Sequence, residues 1–156
     1  MTSTLVIGID PGPTTGIVAL LFSDVDAMSD PVILQCDHYS TMFFADVIAH
    51  GFMQPTKTIV AVEQFVVGPR SGRSGSAEAG RITRNLIGAL SAEFGDDVVL
   101  RAAGQVKPWA TDRKLAAAGL LDPTAGMGHA RDAARHALYA AVQSGFRDPM
   151  SKAALR

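Results

Sequence analysis

Two short runs, LVIGI at 5–9 and TIVAV at 58–62, are almost wholly apolar, and each ends on a carboxylate, Asp10 and Glu63. Apolar runs of this length without polar alternation read as strands buried on both faces, which requires helices on both sides of a sheet. A carboxylate at the end of such a strand loses solvation unless something compensates it. A third acid, Asp132, lies in an alanine-rich helical stretch, HARDAARHALYAAV. Carboxylates brought together repel one another, and a bound cation relieves the repulsion. The pattern points to a cluster that holds Mg²⁺ or Mn²⁺ through oxygen ligands.

With 156 residues, one domain is expected, and 47% apolar residues are enough to fill its core. No uninterrupted apolar stretch reaches the roughly 20 residues of a membrane helix. Thr2, Ser3 and Thr4 lead straight into a strand-like run with no secretory pattern. The single cysteine, Cys36, has no internal partner for a disulfide. These features lead us to expect a reducing cytoplasm, the host's if the chain is viral. A net charge of -1 gives no general attraction to nucleic acid, but the local distribution differs. Positions 70 to 84 carry Arg70, Arg73, Arg81 and Arg84 against one acid, Glu78, and Lys107, Arg113 and Lys114 form a second basic group.

Patterning predicts strands over 4–10, 16–22, 32–36, 58–63 and 98–101. Residues 24–31 read as a polar turn. Helices are expected over 41–52, 77–94, 112–119 and 129–143, with Gly95 and Gly119 as stops and Thr111 as a cap. Residues 105–109 read as a turn or short helix, and the tail after Gly145 as loosely held. The segment after Glu63, VVGPRSGRSGSAEAG, reads as a mobile loop, disordered without a ligand over 68–76. The order implies an α/β fold: a mixed five-stranded sheet, three antiparallel strands and then parallel ones, flanked by helices on both faces.

Four motifs carry candidate chemistry. IGIDPGPTTGIV places Asp10 beside Gly12 and Gly16, which permit close backbone approach. The same run satisfies the phosphate loop of actin-like and sugar-kinase ATPases, but those folds need two such domains. A simple hairpin with an aspartate in its turn would also satisfy it. VAVEQF sets Glu63 ahead of the basic loop, with Phe65 as either a wedge or a core residue. In HARDAARHAL, His129 and Asp132 are three apart on one helix side. Asp132 can alternatively pair with Arg131 or Arg135, and His136 is expected to be structural or on the surface. GQVKPWATDRKL offers Lys107, expected to be extended because Pro108 follows it, and Trp109 as a core residue.

With these motifs in this order, the chain resembles the RuvC family of Holliday junction resolvases, within the RNase H-like nucleases, and particularly its short bacteriophage members. The likeness covers residues 5–142, and the order and spacing of its motifs carry it. IGIDPGPTTG resembles the first-strand motif and places a metal-binding aspartate at Asp10. VAVEQF places the glutamate at Glu63. QVK places a lysine of catalysis or DNA binding at Lys107. HARDAARHAL resembles the last motif, whose histidine and aspartate fall on His129 and Asp132. The resemblance implies a nuclease domain over 1–145 with a tail over 146–156. It implies a homodimer that cuts four-way junctions or related branched DNA using one or two Mg²⁺ or Mn²⁺ ions per subunit. Asp10, Glu63, Asp132 and His129 are the expected metal ligands and Lys107 a further catalytic group. Phe65, Arg70, Arg73, Arg81, Lys107 and Lys114 are the expected DNA contacts. The same carboxylates would serve a nuclease of RNA–DNA hybrids or flaps, and a non-catalytic junction-binding protein could retain the fold.

Overall fold

The computed structural model describes residues 2–24, 27–52, 54–65 and 76–151; residues 66–75 of the expected mobile loop, with Arg70 and Arg73, lie outside them, whereas its last five, Ser76 to Gly80, are helical. The strands are β1 (Thr4–Asp10), β2 (Thr14–Asp24), β3 (Ala27–Met28), β4 (Val32–Asp37), β5 (Lys57–Gln64) and β6 (Val98–Ala102). The helices are α1 (Thr41–Asp46), α2 (Ser76–Phe94), α3 (Ala103–Val106), α4 (Asp112–Ala117) and α5 (Gly128–Gln143).

The six strands form one sheet in the order β3-β2-β1-β5-β6, with β4 also paired to β2. β1 runs antiparallel to β2 and parallel to β5, and β5 runs parallel to β6. The sheet is therefore mixed, as the sequence implies, with one strand more than expected. β3 and β4 both lie along the outer edge of β2, so they are two pieces of one edge. Pro31 sits between them, and a proline has no N–H to donate to a sheet ladder.

Every residue of β1 from Leu5 onward is buried, because both of its faces are covered. Leu5, Ile7 and Ile9 point to one face and pack with Ile17, Val60 and Val62 against Ala45, Ile48, Leu86 and Leu90 of the α1–α2 side. Val6, Val18, Leu20, Ile59 and Ala61 point the other way, onto the alanines of α5 and onto Leu115 and Leu120. The apolar run of β1 is thus two interleaved period-two stripes, one for each layer.

Helix ends follow the expected chemistry. The Thr111 side chain accepts from the Lys114 N–H at 3.4 Å, and Gly95 (φ +55°) and Gly119 (φ +72°) adopt the left-handed conformation beyond their helices. Expected helix 41–52 divides instead into α1 and a π-helical turn, Val47–Phe52. Lys107 is also not extended. It has helical angles (φ -59°, ψ -38°) at the end of α3, and its N–H donates to the Ala103 carbonyl at 2.9 Å. The next residue needs no donor, so Pro108 fits at this helix end.

Over residues 146–151 the chain after α5 is pinned rather than loose. Phe146 stacks on Phe22 with centroids 4.1 Å apart, and Asp148 accepts from Lys114 at 2.8 Å. Among the described residues no helix is long and apolar enough to cross a membrane.

Candidate metal centre

Parallel pairing of β1 and β5 places Ile9 opposite Val62, so Asp10 and Glu63 leave the same end of adjacent strands. Here β1 has an antiparallel neighbour on one side and a parallel one on the other. The carboxyl ends of strands at such a switch in direction form a natural crevice. α5 crosses this end and supplies the third acid. Asp10, Glu63 and Asp132 each offer an oxygen, and the three oxygens lie within 4.8 Å of one another.

Two glycines permit this convergence. A Cβ on Gly8 would meet the Ala133 carbonyl oxygen at 2.1 Å, and one on Gly16 would meet the His129 carbonyl at 2.1 Å. Gly16 is also the strand partner of Asp10. Its role is to admit the start of α5 beside Asp10, whereas a Cβ on Gly12 would meet only the Thr14 carbonyl, at 3.2 Å. α5 has no cap from its own N-cap residue, Met127. Gln35 of β4 substitutes, its Oε1 accepting from the N–H groups of His129 (3.0 Å) and Ala130 (3.2 Å). Sequence reading missed Gln35, because an acceptor ninety residues upstream leaves no local capping signature.

Each carboxylate meets a basic side chain. His129 Nδ1 lies 2.8 Å from Asp10 Oδ2. Lys107 Nζ donates to Asp132 Oδ2 at 2.8 Å, and Arg135 donates to Asp132 Oδ1 and to Asp112. His136 Nε2 lies 3.3 Å from Glu63 Oε2. Asp132 therefore lies in the acidic cluster and also pairs with Arg135. Burial first, and then the charge of Glu63, push the Asp10 carboxyl up to about 6. Burial works in the same direction on Asp132, but hydrogen bonds and charge from Lys107 and Arg135 outweigh it and hold that carboxyl below its usual value. Lys107 is opposed by burial too, yet its bond to Asp132 and the charges of Glu63, Asp132 and Asp10 raise it.

The donor set suits a hard cation. It consists of carboxylate oxygens, one of them on an acid that resists ionising beside its neighbours. His129 stands beside the three carboxylates, bonded to Asp10. Lys107 reaches the site from the end of α3. Phe65, two residues past Glu63, is partly exposed, with its ring edge against Gly80 of α2. Arg81 is exposed on α2 in a pocket lined also by His38, Tyr39 and Met42. Lys114, expected as a DNA contact, is largely buried. It pairs with Asp148 and sits 3.6 Å above the Trp109 ring, so its charge is used within the fold. Trp109 is partly buried, edge-on to Tyr139. His136, expected to be structural or on the surface, is fully buried and points into the site.

This arrangement is an RNase H-like fold: a mixed sheet with helices on both faces and acids gathered at the end of its central parallel strands. Among solved structures it is similar to T. thermophilus RuvC in complex with Holliday junction substrate, at 21% identity and a TM-score of 0.59, over 94% of this chain and 99% of that one. No family model and no curated protein matches the sequence.

Proposed function

We propose that this protein is a divalent-metal-dependent endonuclease that cuts four-way junctions or related branched DNA. The observation that carries the reading is the convergence of Asp10, Glu63 and Asp132 within 4.8 Å on a fold shared with T. thermophilus RuvC in complex with Holliday junction substrate. The three carboxylates hold one or two Mg²⁺ or Mn²⁺ ions. Such ions, when bound, activate a water for attack on the phosphate and neutralise the leaving oxygen. His129, anchored on Asp10, orients that water or takes its proton, or joins the ligand set through its other nitrogen. Lys107, 2.8 Å from Asp132, would stabilise charge on the scissile phosphate.

Phe65 and Arg81, with Arg70 and Arg73 of the loop between them, serve as DNA contacts. A two-fold symmetric junction calls for two symmetric cuts, so a homodimer is part of the proposal. The subtype, the short bacteriophage form of the RuvC family, rests on motif resemblance alone. The proposed compartment, a reducing cytoplasm, rests on the lone Cys36.

The test is incubation with a synthetic four-way junction, a linear duplex and an RNA–DNA hybrid, with and without Mg²⁺. We expect metal-dependent cleavage of the junction above both other substrates. Asp132→Asn should bind the junction with native affinity and lose cleavage by more than about 100-fold, beyond what loss of an outer partner causes. Preferred cleavage of the hybrid would replace the substrate class. Metal-independent or absent cleavage of all three would remove the nuclease reading.

A further inference from the structure

α5 packs on the sheet through Ala130, Ala133, Ala134, Ala137, Ala140 and Ala141, side chains chosen for close approach. His136 interrupts that small-residue helix with a large polar ring that is only 1% exposed. It lies one turn beyond Asp132, so the same stripe of α5 carries both toward the carboxylate cluster. Its Nε2 faces Glu63 Oε2 at 3.3 Å, and neither buried atom has a hydrogen-bond partner. Two unsatisfied buried polar atoms this close would each carry a desolvation penalty, which one shared hydrogen bond removes.

The other two acids show why this matters. Asp10 is fixed by His129, and Asp132 by Lys107 and Arg135. Among the described residues, His136 is the basic group that Glu63 meets. A hydrogen bond from the ring N–H would engage Oε2. The other Glu63 oxygen is then left for the cluster.

We propose that His136 is a positioning residue: it donates from Nε2 to Glu63 Oε2 and fixes the orientation in which Glu63 joins a metal site. The inference rests on the metal-site reading above. Partners of this kind, one step removed from the ion, commonly set ligand orientation and metal affinity.

The test measures Mn²⁺ binding to the full-length, metal-free protein by calorimetry, alongside thermal unfolding, for the wild type, His136→Leu, His136→Gln and Glu63→Gln. The glutamine amide places an N–H near the position of Nε2. His136→Leu should weaken Mn²⁺ binding by about 10- to 100-fold. His136→Gln should stay within about threefold of the wild type. Junction cleavage by His136→Leu should need more Mn²⁺ for half-maximal rate but approach the wild-type rate at saturation. Native Mn²⁺ affinity in His136→Leu, or equal weakening in a folded His136→Gln, would overturn the proposal and leave His136 as core filling. If His136→Leu does not fold, His136→Asn takes its place: its amide falls short of Glu63, so weak Mn²⁺ binding supports the proposal and native binding overturns it. A wild type that binds Mn²⁺ no better than Glu63→Gln would overturn the metal-site reading itself, and this inference with it.

Discussion

The two faces of the sheet are packed by opposite means. The α1–α2 face uses large side chains, with Leu5, Ile7 and Ile9 meeting Ile48, Leu86 and Leu90. Each such side chain contributes about 1.5–3 kcal/mol on full burial. The α5 face uses alanines and glycines, so that helix and strand backbones nearly touch at Gly8 and Gly16. Small side chains bury less area each, so this face yields less hydrophobic stabilisation per residue. In return it fixes the helix position to within a fraction of a side chain, and His129, Asp132 and His136 all project from that helix. One face mainly supplies stability and the other mainly supplies geometry.

The largest effect should come from forcing the two backbones apart. Gly8→Ala would set a methyl 2.1 Å from the Ala133 carbonyl oxygen, which is backbone and cannot rotate away. Overpacking usually costs about 1–3 kcal/mol, and a backbone collision should exceed about 4 kcal/mol or abolish folding. Chemical denaturation of the purified variant measures this. A Gly8→Ala protein with native stability would mean that α5 can slide, and the comparison would fail.

On the other face, Leu86→Ala should cost about 3 kcal/mol by leaving a cavity, yet the folded fraction should keep native Mn²⁺ affinity. Denaturation paired with metal titration checks both halves. A large loss of metal affinity would show that the site depends on both layers.

The close approach of α5 also buries Asp10, which gives the site a pH signature. A carboxyl raised to about 6 favours its neutral form in the folded state. Its stabilising contribution is therefore fully present below its ordinary value near 4 and is lost as pH rises through about 6. Between pH 4 and 6 the metal-free protein should lose about 2 kcal/mol on this account. Asp132, held low by Lys107 and Arg135, has the opposite sign, and its contribution is lost only as pH falls below its ordinary value. Denaturation of metal-free protein at pH 4, 5 and 6 should show this decline in the wild type and not in Asp10→Asn.

Gln35→Ala removes the acceptor for two N–H groups at the start of α5 and should cost about 1 kcal/mol. Hydrogen exchange should rise at His129 and Ala130 before it rises elsewhere in α5. The smallest change should be favourable. Gly88 lies exposed within α2, and a Cβ there meets nothing within 4 Å. Gly88→Ala should stabilise by about 0.5–1 kcal/mol through helix propensity, visible as a higher melting temperature. The same substitution type would thus have opposite signs where a helix presses on the sheet and where a helix meets solvent.

The sequence by itself determined the strands, the long helices and the acids that end them, because these depend on local quantities: apolar period, caps, glycine stops and a carboxylate after an apolar run. Asp10 and Glu63 stood out for that reason, Asp132 as an acid within an alanine-rich helix, and His129 through the motif resemblance. Tertiary structure decided what depends on distant partners. It split the edge strand around Pro31, and it turned Lys107 into a helix end whose ammonium reaches Asp132. It locked Lys114 between Asp148 and Trp109 and placed Gln35 as a cap for α5. It also aimed His136 at Glu63, although the sequence had suggested only a structural or surface role. A side chain's partner is set by which helix lies over which strand, and two glycines on β1 and β2 fix that distance through the side chains they lack.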